Sequence, residues 1–170
     1  MSHSPGLFAH LRDVLILPFT MTVIVPWLIY SPSKLFLTNN IYIDLAGGII
    51  LLLGLGIFVY TVFLFKHLGK GTLAPWQPTQ KLIVAGPYRY CRNPMITGVF
   101  FILIGESLIT HSLSIGYWAV LFFMINTVYF ILKEESDLYK RFGEEYRRYK
   151  SNVPRWLPRL TPYKTPQNNS

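Results

Sequence analysis

The sequence has little charge and almost no cysteine. Charged residues make up 14% of its 170 residues and hydrophobic residues 51%, whereas charged residues make up about 25% of ordinary soluble domains. A surface that faces lipid is the natural explanation for this deficit. Because Cys91 is the only cysteine, the chain can form neither an internal disulfide nor a cysteine metal cluster.

Histidine and acidic residues are also sparse. The four histidines are scattered without the short spacings typical of metal ligands, so we predict no metal site. The net charge of +8 would by itself suit nucleic acid. The basic residues, however, flank apolar runs, where they can meet anionic lipid headgroups. We therefore expect a membrane bilayer as the partner, and no nucleic acid.

Long apolar runs occupy the first half of the chain. Pro18 and Pro26 interrupt the first run, and we predict a kinked transmembrane helix and a loop over residues 1–40. The next run, residues 41–65, has no charged residue after its first turn. It exceeds the roughly 20 residues that a spanning helix needs, and it predicts a second transmembrane helix.

Two further apolar runs, residues 95–109 and 113–132, are separated only by a short polar stretch. They predict a tight helical hairpin within a third unit, residues 66–158. Lysines and arginines concentrate in the connection before this hairpin and in the tail after it. Because such residues favour the cytoplasmic side, we predict an all-α integral membrane protein with about four transmembrane helices and both termini in the cytoplasm.

The tail after residue 133 is highly charged but periodic. Its apolar residues recur at spacings of four, four and three and form one helical face: Leu138, Phe142, Tyr146 and Tyr149. This pattern predicts an amphipathic cytoplasmic helix at the membrane interface. Gly143 lies in its middle and is expected to weaken or bend it. Residues 159–170 are predicted to be a disordered tail.

The stretch "GPYRYCRNPMITG" leads into the first helix of the hairpin and contains two arginines, two tyrosines and an asparagine. Pro94 suits the first turn of a helix, and Asn93 is then at the N-cap, where its side-chain oxygen can accept from a backbone N–H. The free amides of a helix start suit a carboxylate or another polar ligand. The simpler alternative is a helix start whose arginines, Arg89 and Arg92, reach lipid headgroups.

An acidic pair, Glu134 and Glu135, stands where the fourth run ends. Because both ends of a hairpin lie on one side, one of these carboxylates should approach Asn93 and Arg92. A carboxylate and the amides of a helix start can together hold a zwitterion such as an amino acid moiety. The commoner alternative is a carboxylate that only neutralises a basic neighbour such as Lys133.

These stretches resemble the C-terminal region of the isoprenylcysteine carboxyl methyltransferase and phospholipid methyltransferase families. The similar residues are "GPYRYCRNPMITG", the acidic pair, and "LYKRFGEEYRRYKSNVPRWLP", within residues 80–158. The resemblance implies a small integral membrane methyltransferase of the bacterial inner membrane, with its catalytic region at residues 66–158. It also implies S-adenosyl-L-methionine as cofactor and a lipophilic or lipid substrate.

The resemblance further implies a cofactor site that faces the cytoplasm. Tyr88 would close over the cofactor, and Glu134 would bind its amino acid or ribose portion. The other cofactor-binding residues that it implies are Lys81, Leu82, Ile83, Asn93, Pro94, Met95 and Ile96. As catalytic residues we predict Arg92, which would bind an acceptor carboxylate, and Glu135, which would help an acceptor amine to lose its proton.

Three positions depart from the family pattern. Asn93 stands where the family usually has histidine, Ile96 where it has tyrosine, and Phe130 where the isoprenylcysteine enzymes have an arginine for the substrate carboxylate. Asparagine keeps a donor and an acceptor but has no acid–base chemistry. We expect methyl transfer to a membrane-embedded carboxylate, with phospholipid N-methylation as the alternative and a sterol-reductase-like NADPH enzyme as the second alternative.

Overall fold

The computed structural model describes residues 15–33, 40–68 and 81–164, which contain helices and turns but no strand. Helix α1 joins a π-helical segment, Leu15–Ile24, to a short α-helix, Val25–Ile29. The other helices are α2 (Ile41–Leu68), α3 (Pro94–Ile109), α4 (Leu113–Tyr129) and α5 (Glu135–Asn152). A 3₁₀ turn, Gly86–Arg89, precedes α3, and a π-helical turn, Phe130–Glu134, joins α4 to α5.

Two of the described helices are long and apolar enough to cross a bilayer. One is the Ile41–Phe65 part of α2, with a mean hydropathy of 2.6, and the other is the continuous helix that begins at Leu113, with 1.9. Only 17% of each apolar window is buried inside the protein, so most of it is left to contact lipid. The prediction of an all-helical fold is confirmed for the described residues, and two of their helices could span a membrane; the number of four spans stays a prediction.

Glycines let α2 and α3 pack closely. A Cβ atom added to Gly54 would lie 2.7 Å from the carbonyl oxygen of Gly98. Seven residues away on each helix, a Cβ added to Gly105 would lie 2.8 Å from the carbonyl oxygen of Gly47. Small residues allow such backbone contact between helices in lipid. Gly47 and Gly54 thus provide the close contact on α2, whereas a Cβ atom added to Gly48 or Gly56 would meet nothing within 4 Å.

Replacing Gly98 with leucine is expected to push α2 and α3 apart. Overpacking of this kind costs about 1–3 kcal/mol of unfolding free energy, so the thermal midpoint should fall. Gly56→Leu is the matched control, because a Cβ atom at Gly56 meets nothing within 4 Å and leucine favours the helix. Thermal unfolding of both variants in one detergent measures the difference, and equal midpoints would count against the glycine contact.

The hairpin of α3 and α4 turns at residues 110–112, as the sequence predicts. At this end of the bundle, Nε2 of His111 lies 3.0 Å from Oδ1 of Asp44 in the first turn of α2. The start of α3 and the end of α4 therefore meet at the opposite end. The 3₁₀ turn and α5 adjoin that end, so the residues before Pro94 and after Tyr129 come together there.

Helix α5 bends at Gly143, which has a φ of +51° and a ψ of −126°. Glycine adopts this conformation far more readily than other residues. The apolar face of the helix packs on the chain itself in a cluster of buried and half-buried residues: Leu82, Val84, Leu138, Phe142, Tyr146, Tyr149, Val153 and Tyr163. The bend and the apolar face both lie at the predicted residues, but the apolar face packs on the chain itself, and the place of the helix at the membrane interface stays a prediction.

The C-terminal segment, residues 153–164, runs back along the loop that precedes α3. Four backbone hydrogen bonds of 2.9–3.2 Å join the two: Arg92 N–H to Pro154 O, Asn93 N–H to Arg155 O, Arg159 N–H to Tyr90 O and Tyr163 N–H to Arg89 O. The prediction of disorder is therefore wrong for residues 159–164, because their backbone finds partners on residues 89–93. Residues 165–170 lie outside the described residues.

Candidate functional site

The carboxylate of Glu135, at the start of α5, lies among three cations. Its Oε1 accepts from Nη1 of Arg92 at 2.8 Å and from Nη2 of Arg155 at 2.6 Å, and its Oε2 lies 2.6 Å from Nζ of Lys150. The side chains of Glu135 and Arg92 are only 10% and 11% exposed. We call these four residues the Glu135 cluster. It ties the loop before α3, helix α5 and the C-terminal segment together.

The contact between Arg92 and Glu135 confirms that one of the acidic pair approaches the start of the hairpin. Burial raises the pKa of Glu135, but hydrogen bonds from Lys150 and Arg155 and the charge of Arg92 outweigh this effect. The net pKa lies below the ordinary value of 4.5. Glu135 is therefore ionised at neutral pH and is a weak base.

Acid is expected to break the Glu135 cluster. A carboxylate with a lowered folded-state pKa stabilises the fold above its ordinary pKa, and this contribution is lost as the pH falls through the folded-state value. The C-terminal segment should thus stay attached at neutral pH and detach only at a pH below 4.5, the ordinary pKa of a glutamate. The fluorescence of Trp156, taken as the difference between wild type and Trp156→Phe, measures this. A midpoint near neutral pH would contradict the assignment.

One hydrogen-bond donor of the Arg92 side chain has no partner among the described residues. Besides its bond to Glu135, its Nη1 donates to the hydroxyl of Tyr146 at 3.2 Å. Its Nε is buried and has no hydrogen-bond partner among the described residues. An unpaired buried donor costs free energy, and it is well suited to bind an anionic group of a ligand. The geometry is thus compatible with the predicted contact between Arg92 and a carboxylate.

Tyr88 is buried in the 3₁₀ turn, where it packs with Ile83. Its backbone carbonyl accepts a 2.6 Å hydrogen bond from the hydroxyl of Tyr149 on α5. Burial raises the pKa of the Tyr88 phenol, and the charges of Tyr149, Cys91 and Glu134 add to this shift. Glu134 therefore lies within electrostatic range of Tyr88, and two predicted cofactor residues share one end of the hairpin.

Asn93 immediately precedes α3 and is 8% exposed. Its side chain makes no capping hydrogen bond, so the predicted capping bond is absent. Its backbone carbonyl instead accepts 3.2 Å bonds from the amide and the hydroxyl of Thr97. Pro94 has no N–H, and the amides of Met95 and Ile96 have no carbonyl of their own helix to bind. A polar ligand can use these donors and the buried side-chain amide.

The remaining predicted residues differ in their surroundings. Leu82 packs against the apolar face of α5, and Ile96 packs against the core of the hairpin. Glu134 is half-buried; burial raises its pKa, and the charge of Arg141 partly offsets this. Every predicted cofactor residue is thus wholly or partly buried except Lys81, which is exposed.

Sequence reasoning missed Lys150, Arg155 and Trp156. The ring centroid of Trp156 lies 4.6 Å from that of Phe123 on α4 and 6.2 Å from that of Phe130. Trp156 therefore packs the C-terminal segment against α4, and Arg155 joins the same segment to α5 through its ion pair with Glu135. The sequence does mark Arg155 and Trp156 as unusual, because in "VPRWLP" an arginine and a tryptophan stand between two prolines. Local patterns do not reveal which partners such residues reach.

Comparison with known proteins identifies the family. The family model described as phospholipid methyltransferase matches residues 43–145. The chain is 27% identical to the protein-S-isoprenylcysteine O-methyltransferase of Rattus norvegicus, over 84% of this chain and 51% of that protein. It is 36% identical to the Mus musculus protein of the same name, over 47% of this chain and 28% of that protein.

A third match, over 38 residues, is 45% identical to an uncharacterized protein of Haemophilus influenzae and covers 22% of this chain and 60% of that protein. The chain spans about half the length of the rat relative. The family match, by contrast, covers more than half of this chain and includes most of α2, the hairpin and the first limb of α5. The chain therefore belongs to the phospholipid methyltransferase family.

Proposed function

We propose that this chain transfers the methyl group of S-adenosylmethionine to a lipophilic acceptor held in the bilayer, and that the acceptor group is a carboxylate. The family supports methyl transfer, and the two apolar helices support an acceptor that arrives from lipid. The observation that carries the proposal is the contact between Arg92 and Glu135. It holds the start of α3 and the end of α4 together at one end of the hairpin.

The residues at this end fit the cofactor. The apolar side chain of Ile83 and the ring of Tyr88 suit the adenine base, and the carboxylate of Glu134 suits the ribose hydroxyls or the amino group. The buried amide of Asn93 and the free backbone donors at the start of α3 suit a carboxylate. When bound, S-adenosylmethionine supplies a methyl group on a sulfonium, which is a strong electrophile.

The protein then has mainly to align the reactants and exclude water. Alignment of this kind can supply about 7–11 kcal/mol of the barrier reduction. The Glu135 cluster holds the C-terminal segment on the loop before α3, so we now assign Glu135 a positioning role. An acceptor carboxylate is already ionised at neutral pH and needs no base. The unpaired Nε of Arg92 would hold this carboxylate.

Phospholipid N-methylation is the second candidate, and the description of the matching family favours it. An acceptor amine must lose a proton before it can attack. Glu134 is the better proton acceptor of the acidic pair, because burial raises its pKa whereas the pKa of Glu135 is lowered. N-methylation would therefore use Glu134 as a base, whereas methylation of a carboxylate requires no base.

The location of the site follows from the same proposal. The open end of the hairpin carries Arg89, Arg92 and the basic residues of α5, and basic residues favour the cytoplasmic side. We place this end in the cytoplasm, with four spans and both termini inside, in a bacterial inner membrane. An acceptor would then enter sideways from the inner leaflet.

Incubation of the purified chain with bacterial lipid extract and methyl-labelled S-adenosylmethionine tests the proposal. We expect label in lipids that release it as methanol in mild base, because methyl esters are base-labile. Label that stays on a phospholipid headgroup in base would support N-methylation instead. If the chain labels no lipid beyond a protein-free sample, methyl transfer to lipid is contradicted.

A further inference from the structure

A groove on α5 is lined by residues from both sides of the bend at Gly143, and none of them is assigned to the cofactor. The groove is open and has a volume of about 660 Å³, within the range of about 300–1,000 Å³ that is common for ligand sites. The turn before α5 contributes Ile131, the first limb of α5 contributes Glu135, Ser136 and Tyr139, and the second limb contributes Tyr146, Arg147, Lys150 and Ser151.

Positive charge exceeds negative charge at this groove. Among the described residues that line it, Glu135 is the only acidic one, and its carboxylate is paired with Lys150. Arg147 has only an exposed pair with Glu144 at 3.2 Å, which contributes little binding energy. The lining residues thus carry two positive charges against one negative charge.

The remaining polar groups of the groove are hydroxyls, on Ser136, Tyr139, Tyr146 and Ser151. Hydroxyl, ammonium and guanidinium groups all donate hydrogen bonds, and a phosphate offers several acceptor oxygens and negative charge. The lysine and the arginine that line the groove are the two side chains that bind phosphate best. The polar part of the lining therefore matches a phosphate group, and the larger apolar part can contact hydrocarbon.

One end of the groove lies at the edge of the apolar surface. Ile131 lines this end and is 49% exposed, and its neighbour Leu132 is 74% exposed. Both belong to the apolar run that leads up to α5. A ligand in the groove can thus place a phosphate on the cationic part and hydrocarbon beside these two residues.

We infer that the groove binds a phosphate group, and that its position at the end of an apolar helix favours the phosphate of a membrane lipid. The phosphate would contact Lys150 and Arg147, which lie one turn apart on the second limb. This site is distinct from the start of α3, and the inference depends on charge and shape at α5 alone. It holds whether or not the chain transfers methyl groups.

Titration of the full chain in an uncharged detergent tests this inference. The probes are short-chain phosphatidylglycerol, inorganic phosphate, and a short-chain diacylglycerol that has no phosphate. We expect phosphatidylglycerol to bind, phosphate to bind more weakly or to compete with it, and diacylglycerol not to bind. Equal binding of diacylglycerol, or binding of neither phosphate compound, would overturn the inference. Binding of inorganic phosphate alone would retain the phosphate site but reject the lipid as its source.

Two single substitutions show whether phosphatidylglycerol binds in the groove. Arg147→Gln should weaken the binding of phosphatidylglycerol about fivefold, which is the upper end of the range for a partly exposed ion pair. Arg148→Gln is the matched control, because it removes the same charge from the next residue, which does not line the groove; it should change the affinity less than about twofold. Equal effects of the two variants would show a diffuse charge effect and overturn the site. Displacement of the lipid by S-adenosylmethionine would also overturn it as a separate site.

Discussion

Replacing Glu135 with glutamine is expected to lower the free energy of unfolding by about 3 kcal/mol, because it leaves three cations without their carboxylate. Arg92 and Arg155 would face each other with no negative charge between them. The side chains of Arg92 and Glu135 are almost fully shielded from water, so solvent cannot replace the lost interaction. Thermal unfolding in detergent measures the total effect.

The same variant should release the C-terminal segment before the rest of the protein unfolds. Limited trypsin digestion reports this directly, since Arg159 and Lys164 lie in that segment; cleavage there should become faster in Glu135→Gln. Glu144→Gln is the matched control, because the pair of Glu144 with Arg147 is exposed on both sides and such pairs contribute little. If both variants behave like wild type, the Glu135 cluster does not hold the segment.

Replacing Glu134 with glutamine is expected to weaken the binding of S-adenosylmethionine at least tenfold, or about 1.4 kcal/mol, as for a lost charge-assisted hydrogen bond. Glu134 should matter less for the fold than its neighbour, because it is absent from the Glu135 cluster. Isothermal titration of the purified variant measures the affinity, and its thermal midpoint shows whether the fold persists.

Glu145→Gln is the control for this experiment. It removes the same charge from α5, at an exposed position, and should leave the affinity for S-adenosylmethionine unchanged. A Glu134→Gln protein that binds the cofactor as tightly as wild type would remove Glu134 from the cofactor site. The family assignment would survive that result, since it does not depend on the role of a single residue.

The helices could be located from the sequence because their signals are local. The apolar runs 95–109 and 113–132 differ by only a few residues from α3 and α4. Pro94 begins its helix as a proline in the first turn should, and Gly143 bends α5 where a weak point is expected. Each of these features follows from the preference of a residue and its immediate neighbours.

The assembly at the site could be predicted only in part. The hairpin argument correctly brings Arg92 to the acidic pair, because the two ends of a hairpin must meet. It does not say which glutamate makes the contact, or that Lys150 and Arg155 also join it. Those contacts depend on the bend of α5 and on the return of the chain after it.

The capping bond predicted for Asn93 fails for a related reason. A side chain at that position caps a helix by default, but residues 92 and 93 also donate their backbone amides to the C-terminal segment. The backbone amide of Asn93 thus bonds to the C-terminal segment, and its buried side-chain amide does not cap the helix. A preference derived from single helices does not include such a long-range partner.

Direct binding of S-adenosylmethionine to the full chain, with NADPH titrated in parallel, tests the central claim most directly. The claim is that the start of α3 and the end of α4 form one site for a methyl donor. The account predicts saturable binding of S-adenosylmethionine at one site per chain, and none of NADPH. Binding of NADPH without S-adenosylmethionine would contradict it and would favour a reductase.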